Sequence, residues 1–451
     1  MPTLRPYQSR TVAEARAAVT AGARGVLIVA PTGAGKTAIA AHVAASHLAR
    51  GQGRTVLGIV PRLELAAQMA RVLRAAGLRV GVLAGDAAPG DLDAEAPVQI
   101  ATVQTLQVRG VRPPATLVLA DEAHHYASPE WAAVALYYRA ASTVLGLTAT
   151  PQRGDGRAMG DLFDALVVAA SVRELTDEGW LVPATVIAPA ERVTALARDP
   201  VEAYLEHGRR GGELRRAIFF ARDMAHSRAI AEGLAAEGVA ASSVESDLAP
   251  EVRRARVDAF AVGELRALVN VQILTEGFDD PTVEVVVLAR GCSHAGTYLQ
   301  AVGRALRPSP LTGKRGALVL DLMGACHDHG LPDDERAYTL DGTAIRVATA
   351  GDDHAIRQCA ACGGVWRASL FVASTCPRCG HVAPARPDPR VRRAELAEVR
   401  AGHSSDVRAA ALRELVGQAR AKGYKMGWAM ARFKARYHRW PTSAERAQAG
   451  E

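Results

Sequence analysis

The sequence predicts an α/β protein: two tandem parallel-sheet lobes, then a small four-cysteine module and a short basic helical tail. Three observations predict it. Short apolar, β-branched runs alternate with Ala-rich helical stretches, and several of these runs end in residues that carry chemistry. The same alternation restarts near residue 213. Beyond it, four of the six cysteines form two close pairs, and residues 381–451 hold 15 Lys and Arg against 7 Asp and Glu. The whole net charge is +7, so everything before residue 381 is close to neutral. The chain has 451 residues, which suggests about three domains. With 49% hydrophobic and 22% charged residues it can bury a core, and global disorder is excluded. No run approaches the ~18 apolar residues of a membrane span. Met1 to Tyr7 has no apolar signal core.

The first element to justify is Gly25 to Val29, an apolar run that reads as a buried strand. Ala30-Pro31-Thr32-Gly33-Ala34-Gly35-Lys36-Thr37 follows it, and then an Ala-rich helical stretch from Ala38 to Ala49. Strand, Gly-bearing loop and helix together make a phosphate cradle. Gly33 and Gly35 let backbone N–H groups approach an anion at the helix N-terminus. Residues 31–37 are therefore ATP-binding candidates, with Lys36 reaching the β/γ-phosphates and the Thr37 hydroxyl ligating Mg²⁺. The usual pattern begins with Gly, where this chain has Ala30. Lys36 also stands out by composition: there are 49 Arg and 5 Lys, and no other Lys precedes residue 314.

Leu117 to Ala120 is a second buried-strand run, and it ends in Asp121-Glu122-Ala123-His124. Acids at the C-terminal end of a parallel strand lie where α/β sheets bind ligands. Asp121 is expected to share the Mg²⁺ with Thr37, and Glu122 to orient the water that attacks the γ-phosphate.

These motifs make the chain resemble the superfamily 2 helicases and translocases with a DEAH-type box. The resemblance spans roughly residues 3–325 and implies two RecA-like lobes. Leu4-Arg5-Pro6-Tyr7-Gln8 looks like the adenine-reading motif, which implies ATP contacts for Arg5 and Gln8. Val60 to Leu65 looks like motif Ia and Ala101 to Leu106 like the motif after it, which implies nucleic-acid contacts for Pro61, Arg62 and Thr105. Gly146 to Pro151 looks like motif III, so His124, Thr148 and Thr150 are implied to couple hydrolysis to movement. In the second lobe Ala217 to Phe220 resembles motif IV. Leu274-Thr275-Glu276-Gly277-Phe278-Asp279 resembles motif V, implying Thr275 at nucleic acid and Gly277 and Asp279 at ATP. Gln300-Ala301-Val302-Gly303-Arg304-Ala305-Leu306-Arg307 resembles motif VI, with Gln300, Arg304 and Arg307 in catalytic places. The two arginines are three apart on an expected helix, so both can face one cleft and meet charge on the γ-phosphate. Trp180, in the connection between the lobes, is expected to pack in the core.

The cysteine pattern is Cys359-x2-Cys362-x13-Cys376-x2-Cys379, with Gly363 and Gly380 after the pairs. Two tight turns presenting two thiolates each predict a structural Zn²⁺ site. Disulfides are disfavoured in a cytosolic-type ATPase, and an iron–sulfur cluster is less usual at this spacing. A motor followed by such a module resembles the RadD-like DNA-repair helicases and related phage and bacterial proteins. Pro384 to Pro389 reads as a linker. A helix is expected from Ser405 or Asp406 to about Lys422, stopped by Gly423. Beyond it Met426, Met430, Phe433, Tyr437 and Trp440 recur as one apolar face. Lys425, Arg432, Arg436 and Arg439 form a basic stripe assigned to nucleic-acid phosphates.

The expected organisation is lobe 1 over residues 1–190, lobe 2 over 191–350, a zinc ribbon over 351–383 and a linker with basic tail over 384–451. The expected function is an ATP-dependent DNA helicase or translocase acting in repair, recombination or replication, with ATP, Mg²⁺ and Zn²⁺ as cofactors. The alternatives are an RNA helicase, or an ATP-switched nucleic-acid-binding or annealing protein that does not unwind. Expected partners are single-stranded or forked DNA, RNA as the other polymer, and single-strand-binding or repair proteins. The expected location is the cytoplasm of a bacterium or phage host, at the nucleoid.

Overall fold

The computed structural model describes residues 3–84, 92–151, 158–275, 278–341, 346–347, 356–367, 375–382, 405–437 and 440–449. Two compact units divide at residue 384. The first unit contains both lobes and the cysteine module.

Lobe 1 opens with helix α1 (Pro6–Thr20) and strand β1 (Gly25–Val29), followed by α2 (Lys36–Leu48), β2 (Val56–Val60) and α3 (Leu63–Ala75). Then come β3 (Val80–Leu83), β4 (Val98–Thr102), α4 (Val103–Val108), β5 (Leu117–Asp121), α5 (Pro129–Arg139), β6 (Thr143–Thr148), β7 (Ala165–Val168) and α6 (Val172–Asp177). The strands form one seven-stranded parallel sheet in the order β3-β4-β2-β5-β6-β1-β7. β1, β2 and β5 are buried along their whole length, as continuous apolar strands covered on both faces must be. The register sets Val29 beside Thr148 and Asp121 beside Leu147. The C-terminal ends of β1, β6 and β5 therefore finish level, and the loops that follow them share one rim.

Lobe 2 begins with β8 (Ala184–Ile187) and α7 (Pro200–His207). A two-residue hairpin, β9 (Arg209–Arg210) and β10 (Glu213–Leu214), leads into β11 (Ala217–Ala221) and α8 (Met224–Ala236). The lobe continues with β12 (Ala241–Val244), α9 (Pro250–Ala261), β13 (Ala267–Asn270), β14 (Val285–Ala289), α10 (Ala295–Gly303), β15 (Ala317–Asp321) and α11 (Ala325–His329). Short strands β16 (Arg336–Ala337) and β17 (Arg346–Val347) pair with each other, and β18 (Ile356–Gln358) and β19 (Gly364–Arg367) form a hairpin. The second sheet runs β12-β13-β11-β14-β15-β8-β19-β18, parallel through β8 and antiparallel beyond it.

Two expected boundaries change. β8 lies within residues 1–190 but hydrogen-bonds to β15, so lobe 2 begins before residue 184. A strand belongs to whichever sheet satisfies its backbone groups, and chain position does not decide that. The cysteine module is also less separate than expected. β19 pairs with β8 through Gly364–Ile187 and Val365–Val186, so its hairpin continues the second sheet.

The second unit contains α12 (Ser405–Ala421), α13 (Met426–Tyr437) and α14 (Ser443–Gln448). Leu412, Val416, Ala429 and Phe433 form its core, with Met426 and Met430 packed against it. Trp440 departs from the expected apolar face: α13 ends at Tyr437, and Trp440 is 53% exposed beneath the Lys434 ammonium. α14 was not expected, and a capping box of Thr442 and Glu445 starts it. The expected 384–389 linker lies outside the described residues. Among the described residues, no helix is long and apolar enough to cross a membrane.

Candidate active site

The rim above β1 is built by glycine. Gly33 and Gly35 hold φ of +89° and +77°, a region that L side chains rarely adopt. A Cβ on Gly35 would come within 2.6 Å of Gln8 Nε2. Gly35 is also the N-cap of α2, and no side chain caps that helix end. The first N–H groups of α2 are thus left to an outside acceptor.

Residues 5–8 grip this loop from behind. The Tyr7 hydroxyl donates to the Ala34 carbonyl at 2.7 Å, and Gln8 Nε2 donates to the same oxygen at 3.0 Å. Gln8 Oε1 accepts from the Arg5 backbone N–H at 3.0 Å. The Gln8 carboxamide is therefore occupied at both ends within the protein. Arg5 stacks on Trp180, 4.3 Å from its ring centre, and Leu181 packs against the Gly33 position. The connection between the lobes thus braces the cradle, beyond the core packing expected of Trp180.

Asp121 and Glu122 stand at the end of β5, both nearly buried. Glu122 has φ +45°, the only positive φ outside glycine among the described residues. Such a conformation is strained and persists where surrounding structure over-determines it. Its Oε2 lies 3.4 Å from His124 Nδ1, which is 3.2 Å from Thr148 Oγ1. Thr148 Oγ1 donates to the Thr150 carbonyl at 2.7 Å. Thr150 then meets lobe 2, since a Cβ on Gly296 would fall 2.8 Å from its Oγ1. Glu122, His124, Thr148 and Thr150 therefore form a continuous contact path ending at α10.

Lobe 2 closes the cleft. Arg304 Nη1 donates to the Phe278 carbonyl at 2.6 Å, and Arg307 Nη2 reaches the same oxygen at 3.5 Å. Arg307 also pairs with the Asp279 carboxylate. Burial lowers the Arg307 pKa to about 10, which leaves it cationic at neutral pH. The expected helix does not carry both arginines, because α10 stops at Gly303 with Arg304 as its C-cap. Three-residue turns continue from there, and Arg307 still returns to the same cleft. Gly303 is needed for the approach: a Cβ there would lie 2.5 Å from Thr32 Cβ.

One cavity gathers Lys36, Thr37, Asp121 and Glu122 from lobe 1 with Phe278, Asp279, Arg304 and Arg307 from lobe 2. Thr37 and Asp121, an alcohol and a carboxylate, are an oxygen donor pair suited to Mg²⁺. Gln300 is buried in α10 and does not line this cavity. Gly277 lies outside the described residues. Sequence reasoning missed the Tyr7 hydroxyl, the lining residues Leu65 and Gln68, and the Phe278 carbonyl. A backbone acceptor leaves no side-chain signal to find.

The expected nucleic-acid contacts of lobe 1 lie at the ends of β2 and β4, neighbours in the same sheet. Pro61 is buried, and the half-buried Arg62 is the N-cap of α3. The Thr105 hydroxyl is 2.9 Å from that of Thr102, and Thr102 caps α4 by accepting from the Thr105 N–H. Gln104 is the exposed side chain of that turn. Thr275 ends a one-turn helix after β13, in lobe 2. In the second unit Lys425 and Arg432 are exposed, Arg436 lies on α13, and Arg439 falls outside the described residues.

The four expected cysteines converge, with all Sγ atoms within 4.8 Å of one another. Cys359 and Cys379 are 3.7 Å apart, and Cys362 and Cys376 are 3.8 Å apart. A sulfur tetrahedron with Zn–S bonds of about 2.3 Å has edges of about 3.8 Å, whereas a disulfide needs about 2.05 Å. The cluster therefore fits one Zn²⁺. Gly363 and Gly380 take φ of +66° and +71° to turn the two knuckles.

The comparisons with known proteins match both lobes. Residues 1–153 match the family described as type III restriction enzyme, res subunit, and residues 202–309 match the helicase conserved C-terminal domain. Between them they cover more than half of the chain. The chain belongs to the superfamily 2 helicases, nucleic-acid-dependent ATPases with two such lobes. "Putative ATP-dependent helicase IRC3" of Saccharomyces cerevisiae is 26% identical over 363 residues, 72% of this chain and 52% of that protein. "Putative DNA 3'-5' helicase Rad25" of Halobacterium salinarum is 32% identical over 335 residues, 68% of this chain and 52% of that protein. This chain thus spans about half the length of either relative. A type I restriction HsdR fragment from Vibrio vulnificus shares the fold, with a TM-score of 0.60 at 22% identity, covering 76% of this chain and 68% of that one.

Proposed function

We propose that the chain is an ATP-driven DNA translocase or helicase whose hydrolytic site is completed only when its two lobes close. The observation that carries this reading is the single cavity lined by the cradle of lobe 1 and the arginines of lobe 2. Lys36 and the N–H groups of α2 hold the β- and γ-phosphates, and Thr37 and Asp121 would hold Mg²⁺. The metal, when bound, neutralises charge on the phosphate oxygens. Glu122 orients the attacking water, and Arg304 and Arg307 meet the charge that develops as the γ-phosphoryl leaves ADP. The path from Glu122 through His124 and Thr148 to Thr150 conveys the phosphate state to α10, and lobe closure follows. The loops after β2, β4 and β13 face the strand through phosphate and sugar, so the motor reads no sequence. The cysteine module holds Zn²⁺ as a structural ion, and the exposed Lys425 and Arg432 add phosphate contacts.

DNA is favoured over RNA because the archaeal relative is described as "Putative DNA 3'-5' helicase Rad25". ATP hydrolysis on matched DNA and RNA strands tests this, paired with a strand-displacement assay. Preferential stimulation by DNA supports the reading. Preference for RNA moves the protein to the RNA helicases, and hydrolysis with no strand release or translocation makes ATP a conformational switch.

A further inference from the structure

The scarcity of lysine singles out a second residue. Between Lys36 and Lys422 the only lysine is Lys314, in a chain that uses arginine almost everywhere else. Lys314 is only 6% exposed, and its Nζ donates to two backbone carbonyls, Pro281 at 3.1 Å and Val283. Both belong to the turn that leads from Phe278 into β14. The near end of that turn carries Phe278, whose carbonyl receives Arg304 and Arg307, and Asp279, which pairs with Arg307. Lys314, seven residues after Arg307, is anchored in turn by its own N–H, which donates to the Ser309 carbonyl. The segments bearing the two arginines and their acceptors are therefore joined at both ends.

We propose that Lys314 is a positioning residue for the hydrolytic arginines: it fixes the 278–283 turn, and so the place of Arg307 over the phosphate cradle. Arg307 Cγ already lies 3.0 Å from where a Gly33 Cβ would stand, so a small shift of the turn moves the guanidinium against the cradle itself. A compact ammonium can direct separate protons at two converging carbonyls in a closed space, whereas a planar guanidinium needs more room and a different acceptor layout. Burial opposes the charge and lowers the Lys314 pKa to about 7, with Glu284 and Asp280 working against that shift and Arg307 adding to it. Arg216, in turn, holds Asp280 at 3.2 Å. This inference rests on reading Arg304 and Arg307 as the cations that meet the γ-phosphate.

The test is a double-mutant cycle on the nucleic-acid-stimulated ATPase of the full chain, using K314M, R307A and the pair. K314M is expected to lower kcat by about tenfold or more while leaving KM for ATP and the affinity for single-stranded DNA within about twofold. In the R307A background K314M is expected to cost less than about twofold, because a positioning residue has nothing left to position. A wild-type kcat in K314M, or losses that multiply across the pair, overturns the proposal. If K314M does not fold, K314Q keeps a donor in the site, and the same outcomes decide. A wild-type rate in R307A overturns the reading of the arginines and takes the Lys314 proposal with it.

Discussion

The two lobes repeat one strand–turn–helix unit and start its helix in opposite ways. In lobe 1, β1 leads to α2 through Gly33 and Gly35, and no side chain caps the helix. In lobe 2, β11 leads to α8 through Arg222 and Asp223, and the Asp223 carboxylate accepts the His226 N–H at 2.8 Å. That bond, with Arg222 alongside, holds the Asp223 carboxyl below its usual range. An uncapped helix end leaves its amides to a phosphate, while an end closed by its own anion has no use for one. The same fold thus leaves an open, anion-accepting helix end in one lobe and a self-satisfied one in the other. Lobe 2 contributes instead from the far end of α10, through Arg304 and Arg307.

This contrast can be broken at several points, which differ in expected effect. K36A removes the cation of the cradle, and hydrolysis should fall to background in a phosphate-release assay. R307A should lower kcat by about 10³-fold or more with a smaller change in KM, since the arginine acts on the charge of the transition state. A KM effect alone would place Arg307 in ground-state binding. If the four cysteines hold Zn²⁺ as proposed, chelation should lower the thermal midpoint of the first unit, because the β18–β19 hairpin continues the lobe 2 sheet through β8. Differential scanning calorimetry checks this, and an unchanged midpoint would make the module independent of the sheet. D223A should have the smallest effect, lowering the melting temperature by a few degrees and leaving KM for ATP unchanged. The Asp223 pKa is depressed, so its contribution is present above the unfolded carboxyl pKa and is lost as pH falls through the folded value.

Sequence reading placed the two parallel-sheet lobes and the convergence of five side chains on one cavity better than it placed the domain boundaries. That Lys36, Asp121, Glu122, Arg304 and Arg307 share one cavity was legible because each stands in a motif with recognisable side chains and spacing. The assignment of β8 to lobe 2 was not, because it depends on pairing with β15, whose partner residues lie 133 positions further along the chain. The joining of the cysteine hairpin to the same sheet was hidden for the same reason. Arg304 and Arg307 were expected on one helix, yet Gly303 ends it, and the close approach to Thr32 explains why glycine stands there. The count that drew attention to Lys36 contained Lys314 as well, but nothing local to residue 314 shows that it faces the carbonyls of Pro281 and Val283.

The most direct test of the split site is the rate of phosphate release by the full chain with and without single-stranded DNA, compared with K36A and R307A. The account predicts a rate raised by DNA in the wild type and lost in both variants, one defect in each lobe. A rate indifferent to every nucleic acid, or full stimulation in R307A, would contradict it.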